Sequence, residues 1–323
     1  MKNYDFSFNE VNTAYERIKS YLQETPLVQS FFLDDQHRKY FFKLETLQRT
    51  KSFKVRGALN KMLSMTAEER KHGVITISSG NHGCAVGYAA SLLGIEKVVV
   101  IVPETSPESK VKKIKFFGAE IIQHGRNNDE AWKWGMDYIS KTNMTYIDSY
   151  YEDIKVYGGQ GTTAIELLRQ NPDIDTIIVP LGGGSLLTGT AVAAKALKPD
   201  VRVIGIQTAA CPAFIKAYED NVFYKEYSTE ETICDSLVGG VGALSYAVIK
   251  DYVDDLIAVS EDSIGRAVSY MAKEEKIIAE PGSCTTVAAV MEHRERIGGK
   301  NIALIISGAN IDGELLEKLM KKY

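Results

Sequence analysis

Lys54 is the side chain best placed for covalent chemistry. It lies in Thr50-Lys51-Ser52-Phe53-Lys54-Val55-Arg56-Gly57-Ala58, between apolar neighbours and ahead of a helical run, Leu59 to Met65. An ammonium sheltered from water loses its charge more readily than one in bulk solvent, and the neutral amine can add to a carbonyl to form a Schiff base. Taken alone, the segment reads first as a surface lysine at the mouth of a helix. Two other stretches change that reading.

Val74-Ile75-Thr76-Ile77 runs into Ser78-Ser79-Gly80-Asn81-His82-Gly83 and a helix of small residues. Thr176-Ile177-Ile178-Val179-Pro180-Leu181 runs into Gly182-Gly183-Gly184-Ser185 and a helix rich in Ala and Leu. A turn of this form aims free backbone N–H groups at whatever sits over the helix N-terminus, a place that favours an anion. One amine and two anion cradles are accounted for together by a cofactor carrying a phosphate and an aldehyde, pyridoxal phosphate, receiving an amino acid with its own amine and carboxylate. The glycine loop has rival readings. A dinucleotide site needs an acidic residue at the end of the next strand, where Val203-Ile204-Gly205-Ile206 ends in Gln207. A triphosphate loop needs Gly-Lys-Ser or Gly-Lys-Thr, which does not follow.

Ser52-Phe53-Lys54-Val55-Arg56-Gly57-Ala58, Ser79-Gly80-Asn81-His82-Gly83, the loop Gly182 to Leu186 and Ser307-Gly308-Ala309-Asn310 stand in the order seen in fold-type II pyridoxal-phosphate enzymes. From about Thr25 to Asp312 the chain resembles their threonine dehydratase and serine racemase branch. The resemblance implies an α/β fold of two domains, like the β subunit of tryptophan synthase, with parallel sheets covered by helices. It implies that Phe53, Lys54, Asn81, Gly182, Gly183, Gly184, Ser185, Leu186 and Ser307 bind the cofactor. Asn81 would meet its phenolic oxygen and Ser307 its pyridine nitrogen. Ser78, Ser79, Asn81 and His82 would seat the substrate, with His82 a structural histidine rather than a base. Lys54 would remove the α-proton, and Ser79, by its match to a serine of the racemases, would handle a proton on the opposite face.

The implied reaction is β-elimination of L-threonine or L-serine to a 2-oxo acid and ammonia. The alternatives are a serine or other amino-acid racemase on the same scaffold, a dehydratase of another β-hydroxy amino acid and, with less support, a nicotinamide-dependent dehydrogenase. β-Replacement enzymes usually carry Thr in place of His82. The family also implies a homodimer or homotetramer.

Several positions depart from the family pattern. Lys51 stands where glycine is common and brings a second cation near the site. Ala131 takes the place of a racemase arginine. Gln207 and Ala213 replace acidic residues of the racemase metal site, so no metal is expected. Two further departures, Glu280-Pro281-Gly282-Ser283-Cys284 and Asp235-Ser236-Leu237-Val238-Gly239-Gly240, are expected to border the site. The chain leaves no room after Met320 for the effector-binding extension of biosynthetic dehydratases.

The elements that position these residues read as follows. Val11, Ala14, Tyr15, Ile18 and Leu22 mark one helical face, and Tyr40 to Leu44 a buried strand. Strands are predicted over Val74–Ile77, Lys97–Val102, Glu120–Gln123 and Thr145–Ile147, separated by helices, a rhythm that implies parallel pairing. Residues 69–151 are expected to form a small mobile domain, and 1–68 with 152–323 a large cofactor-binding one. The second half predicts a helix over Gly161–Arg169 and strands at Thr176–Leu181, Val201–Ile206, Leu256–Val259 and Asn301–Ile306. Phe31 and Phe32 are expected in the core.

With 323 residues, 45% of them hydrophobic and 25% charged, the chain has the composition of a globular protein. A net charge of −4 and no long basic run argue against nucleic acid; Lys112-Lys113 and Lys321-Lys322 read as solvated faces. No apolar run spans a bilayer, and Met1-Lys2-Asn3-Tyr4-Asp5 lacks the apolar core of a signal peptide, so a cytoplasmic enzyme with no membrane partner is expected. Cys84, Cys211, Cys234 and Cys284 are scattered, which fits reduced, mostly buried thiols.

Overall fold

The computed structural model describes residues 4–323; Met1 to Asn3, where the reading of a missing signal peptide begins, lie outside them. Strands β1 (Leu27–Gln29) and β2 (Lys39–Leu44) come first. Next come β3 (Val74–Ile77), β4 (Val98–Val102), β5 (Glu120–Gln123) and β6 (Thr145–Tyr146). The second half adds β7 (Thr176–Pro180), β8 (Arg202–Thr208), β9 (Asp255–Val259) and β10 (Asn301–Ile306). They form a six-stranded sheet in the order β1-β2-β10-β7-β8-β9 and a four-stranded sheet in the order β5-β4-β3-β6. Pairing is parallel except between β1 and β2. The fold is the expected α/β arrangement of parallel sheets and helices. β1 went unpredicted because three residues are too few to show a period.

Insertion of β10 between β2 and β7 is what assembles the chemistry. Each neighbouring pair of strands is about 4.8 Å apart. The segments that follow the carboxyl ends of β2, β10 and β7 therefore meet, although they carry Lys54, Ser307 and the glycine loop from distant parts of the chain. The Phe53 amide donates to the Ser307 carbonyl at 3.0 Å, and Ser52 bridges to Gly308.

The Lys54 helix differs from prediction in starting at the lysine itself, over Lys54–Leu63. Val55, Ala58, Leu59 and Met62 pack with Val86, Ala89 and Val100 in the core beside the four-stranded sheet. Arg56 points elsewhere. Two residues on from Lys54 is a rotation of about 200°, so Arg56 turns away from the cleft and into a buried cluster. Its Nε and Nη2 donate to Glu45 at 2.7 and 2.8 Å, and its Nη1 and Nη2 donate to Glu166 at 2.7 Å each. Lys43 Nζ joins Glu166 at 2.8 Å, making two cations against two anions.

The longest discrepancy lies in the helix Ile154–Gln170, predicted only from Gly161. Gly158 and Gly159, ahead of the predicted start, are helical as well. A Cβ at Gly159 would lie 2.4 Å from the Arg56 carbonyl oxygen, so this crossing with the Lys54 helix requires bare backbone. Phe31 and Phe32 also correct the expectation: they are 74% and 65% exposed. The Glu275 carboxylate accepts from Ser30 Oγ at 2.5 Å and from the Phe31 amide at 3.0 Å, which turns the backbone so that both rings face outward.

All four cysteines are buried free thiols. Among the described residues no helix is long and apolar enough to cross a membrane.

Removing one partner from a buried ion cluster strands the charges left behind, which is more damaging than replacing the whole cluster. Arg56→Met is expected to lower the free energy of unfolding by about 3–5 kcal/mol. Urea titration followed by circular dichroism checks this; a loss below about 1 kcal/mol would mean that Glu45 and Glu166 do not depend on it.

Candidate active site

A cavity of about 1820 Å³ is lined from both sheets. Phe53, Lys54, Ser78, Ser79, Asn81, His82, Gly182, Gly183, Gly184, Ser185, Leu186 and Ser307, all the residues expected to bind cofactor or substrate, line it. Of the two departures expected at its border, Asp235 to Gly240 line it throughout, and Glu280 to Cys284 only through Glu280. The Lys54 segment, the Ser78 to His82 loop, the glycine loop and Ser307 each follow the carboxyl end of a parallel strand, where α/β folds place their ligands.

Lys54 is half-buried, and its Nζ donates to the Ser149 carbonyl at 3.0 Å. Burial brings its amine down to about 8, against the opposing pull of Asp148 and Glu280. A minor neutral fraction, far larger than that of an ordinary lysine, thus exists near neutral pH. Lys51 is arranged differently from expectation: its side chain is exposed and is not among those lining the cavity. Its backbone holds φ 63°, a left-handed conformation that glycine adopts freely, and its carbonyl accepts from Ala309 N at 2.8 Å.

The glycine loop is shaped by its neighbours as much as by a ligand. A Cβ at Gly183 would lie 2.0 Å from the Tyr150 ring, so that ring packs on bare backbone. Gly184, at φ 100°, caps the helix Ser185–Leu197, whose first-turn N–H groups have no partner within the helix. The result is a concave backbone surface opening on a helix N-terminus, which suits a phosphate monoester. Together with the depressed Lys54 amine, it makes the residues present a fit for pyridoxal phosphate.

Asn81 opens the helix Asn81–Leu92. Its Nδ2 donates to Glu280 Oε1 and Oε2 at 2.8 and 3.1 Å, and its Oδ1 accepts from Asn310 Nδ2 at 2.5 Å. Glu280 is 6% exposed, and burial raises its carboxyl above the usual range. His82 is buried with Nε2 3.0 Å from the Ile147 carbonyl, and burial, reinforced by Lys54, brings it down to about 3. Its neutral ring suits the structural role expected of it. Ser307 Oγ lies 3.0 Å from Ser283 Oγ, so both hydroxyls share one bond at the end of β10. Cys84 lines the cavity, but burial pushes its thiol up to about 11, so it is no nucleophile near neutral pH.

Sequence reasoning missed four contributors. Asp148 accepts from the backbone amides of Tyr150, Tyr151, Glu152 and Asp153 at 2.8–3.2 Å. That turn presents the Ser149 carbonyl to Lys54 and the Tyr150 ring to Gly183; an Asp just after a predicted strand was the available signal. Glu280 was placed only at the border. Asn310 was quoted within its motif and given no role. Lys113, read as a solvated face, is half-buried, and its Nζ donates to Asn310 Oδ1. Nothing local distinguishes it from Lys112, which is exposed.

Comparison with known proteins accords with this geometry. The family described as pyridoxal-phosphate dependent enzyme matches residues 18–308. An L-threonine ammonia-lyase of Thermotoga maritima is 34% identical over 318 residues, 98% of this chain and 78% of that protein. A serine racemase of Dictyostelium discoideum is 33% identical over 97% of this chain and 98% of its own length. The structure of maize serine racemase superposes with a TM-score of 0.90 at 32% identity, covering 99% of this chain and 98% of that one.

In the cofactor-free protein the Lys54 amine is expected to titrate near pH 8, read from the NMR signal of 13C-dimethylated lysines with Lys54→Arg assigning the resonance. Titration near the ordinary lysine value, about 10.4, would contradict the desolvated site.

Proposed function

The chain belongs to the pyridoxal-phosphate-dependent enzyme family, and on that premise we propose that it converts a β-hydroxy amino acid, L-threonine or L-serine, to a 2-oxo acid and ammonia. The observation that carries the reading is the meeting, in one cleft, of a desolvated lysine amine, a glycine loop at a helix N-terminus, and the Ser78 to His82 loop at a second helix N-terminus.

Pyridoxal phosphate supplies an aldehyde for Lys54 and a ring that accepts the electrons left when a bond at the substrate α-carbon breaks. Lys54 Nζ would hold it. Gly182, Gly183, Gly184, Ser185 and Leu186 would hold its phosphate through backbone N–H groups, with Phe53, Asn81 and Ser307 around the ring. Ser78, Ser79, Asn81 and His82 would seat the substrate carboxylate. Once displaced by the substrate amine, Lys54 Nζ would take the α-proton; its lowered proton affinity keeps it a competent base near neutrality. Ser307 offers a neutral hydroxyl rather than a carboxylate, which does not strongly favour a protonated ring nitrogen. That favours departure of the β-hydroxyl over a long-lived carbanion. Loss of water and hydrolysis of the product enamine give the 2-oxo acid and ammonia.

A racemase reading has its own support in Ser79, whose hydroxyl lines the same cleft as Lys54 and would exchange a proton on the other face. The reading extends to a small domain over residues 69–151 moving against a large one, 1–68 and 152–323. It also includes a homodimer or homotetramer acting in the cytoplasm.

The purified protein is expected to be yellow, to lose its visible band on borohydride treatment, and to release 2-oxobutyrate from L-threonine. Lys54→Ala should remove the band and lower turnover by at least roughly a thousandfold; turnover retained in that variant would refute the assignment. Loss of substrate chirality without ammonia release would select the racemase.

A further inference from the structure

Asn81 has an amide whose two ends are chemically opposite, and a side chain facing a cofactor can offer either end. Which end faces the cleft is decided by what holds the other. Lys113, on the helix Glu108–Phe116 beside the four-stranded sheet, donates to Asn310 Oδ1. Asn310, just past β10, donates through Nδ2 to Asn81 Oδ1 at 2.5 Å and to the Thr50 carbonyl at 3.0 Å. Asn81 then donates through Nδ2 to Glu280 at 2.8 Å, and Glu280 Oε2 accepts from the Asn310 amide at 3.0 Å.

These bonds run in one direction, from an ammonium at one end to a carboxylate at the other. The order is not reversible. Turning Asn310 would set its NH2 against the Lys113 ammonium, and turning Asn81 would set its carbonyl oxygen against the Glu280 carboxylate. Each is a like-pole contact in a poorly solvated place. The chain also crosses between the sheets at every step, since Lys113 and Asn81 belong to the four-stranded side while Asn310 and Glu280 belong to the six-stranded side. Separation of the two sides breaks all three bonds together. Lys110, one turn before Lys113, pairs with Asp235 at 2.5 Å across the same mouth and leaves Glu280 as the carboxylate serving Asn81.

We propose that Glu280, directly, and Lys113, through Asn310, are positioning residues that fix the Asn81 amide with its oxygen turned away, so that Asn81 presents an N–H donor to the cofactor's phenolic oxygen only when the two sheets are closed on the cleft. This rests on the pyridoxal-phosphate reading of the site. Neither residue touches the reacting atoms; each sets the hydrogen-bond polarity of one that touches the cofactor.

The test uses E280Q, K113Q and the double variant. It reads the absorption maximum of bound pyridoxal phosphate, its dissociation constant by equilibrium titration, and the urea midpoint. E280Q replaces a one-sign acceptor by an amide that can face Asn81 either way, so the band should shift and affinity should fall by roughly tenfold, the scale of one charge-assisted hydrogen bond. K113Q should move both readouts in the same direction by less. The double variant should be no weaker than E280Q, because both changes release the same amide. E280D, which keeps the charge, should restore the band position in part. An unchanged band and affinity in E280Q, or losses that multiply in the double variant, would overturn the proposal. Should E280Q fail to fold, K113Q at the half-buried rim with its band and affinity carries the same decision. Wild-type protein that binds no pyridoxal phosphate sinks the functional reading itself, whereas normal wild-type binding with unaltered variants sinks only the relay.

Discussion

Arg56, wedged between Glu45 and Glu166 with Lys43 alongside, is the interaction on which the geometry of the cleft depends. Glu45 follows β2, Glu166 lies on the helix Ile154–Gln170, and Arg56 sits in the first turn of the Lys54 helix. A charge cannot remain buried without its partners, so the cluster allows these three elements one mutual placement. Helical geometry then sends Lys54 to the opposite side, toward the cleft. Thr25 and Thr162 hydroxyls, the Thr25 carbonyl and the Gln170 and Gln48 side chains add further hydrogen bonds to the four charges. The cluster serves position more than stability, since an apolar filling of the same volume would hold the elements together without fixing their angle.

The same helix explains how two sheets share one active site. Its apolar face belongs to the core beside the four-stranded sheet, while Arg56 is anchored beside the six-stranded one. Across the cleft itself the contacts are polar: Asn81 to Glu280, Asn310 to Asn81, Lys110 to Asp235. Hydrogen bonds that exchange with water carry a small net free energy, whereas packed apolar faces do not separate cheaply. A cleft bridged by such bonds and backed by packed apolar faces suits an enzyme that must admit a substrate and then exclude water.

Much of the site was legible beforehand, and for a local reason. A strand, a glycine-bearing turn and a helix N-terminus are written in consecutive residues, so the Ser78 to His82 loop and the Gly182 to Leu186 loop declare themselves without tertiary information. Lys54 was legible only in the company of those two loops, since its own segment reads first as a surface lysine. The readings that failed were those in which a residue's meaning depends on a distant segment. The helix Ile154–Gln170 was predicted only from Gly161 because sequence cannot show that the Arg56 backbone lies against Gly159. Phe31 and Phe32 looked like core because a Glu 244 residues away, holding the Phe31 amide, turns them outward. Lys113 looked like its solvated neighbour Lys112 because its partner, Asn310, arrives only with the last strand.

By itself the sequence determined the alternation of strands and helices and the four motifs with their order, because each depends on hydrophobic period and turn chemistry over a few residues; the family came from the resemblance those motifs carry. Only the tertiary structure decided that β10 lies between β2 and β7, that Arg56 is buried with three other charges, and that Glu280 and Asn310 bond the two ends of the Asn81 amide, with Lys113 behind Asn310. Strand order and pairings across hundreds of residues are set by how whole faces pack and how buried charges are neutralised, and those quantities have no counterpart in the spacing of residues along the chain.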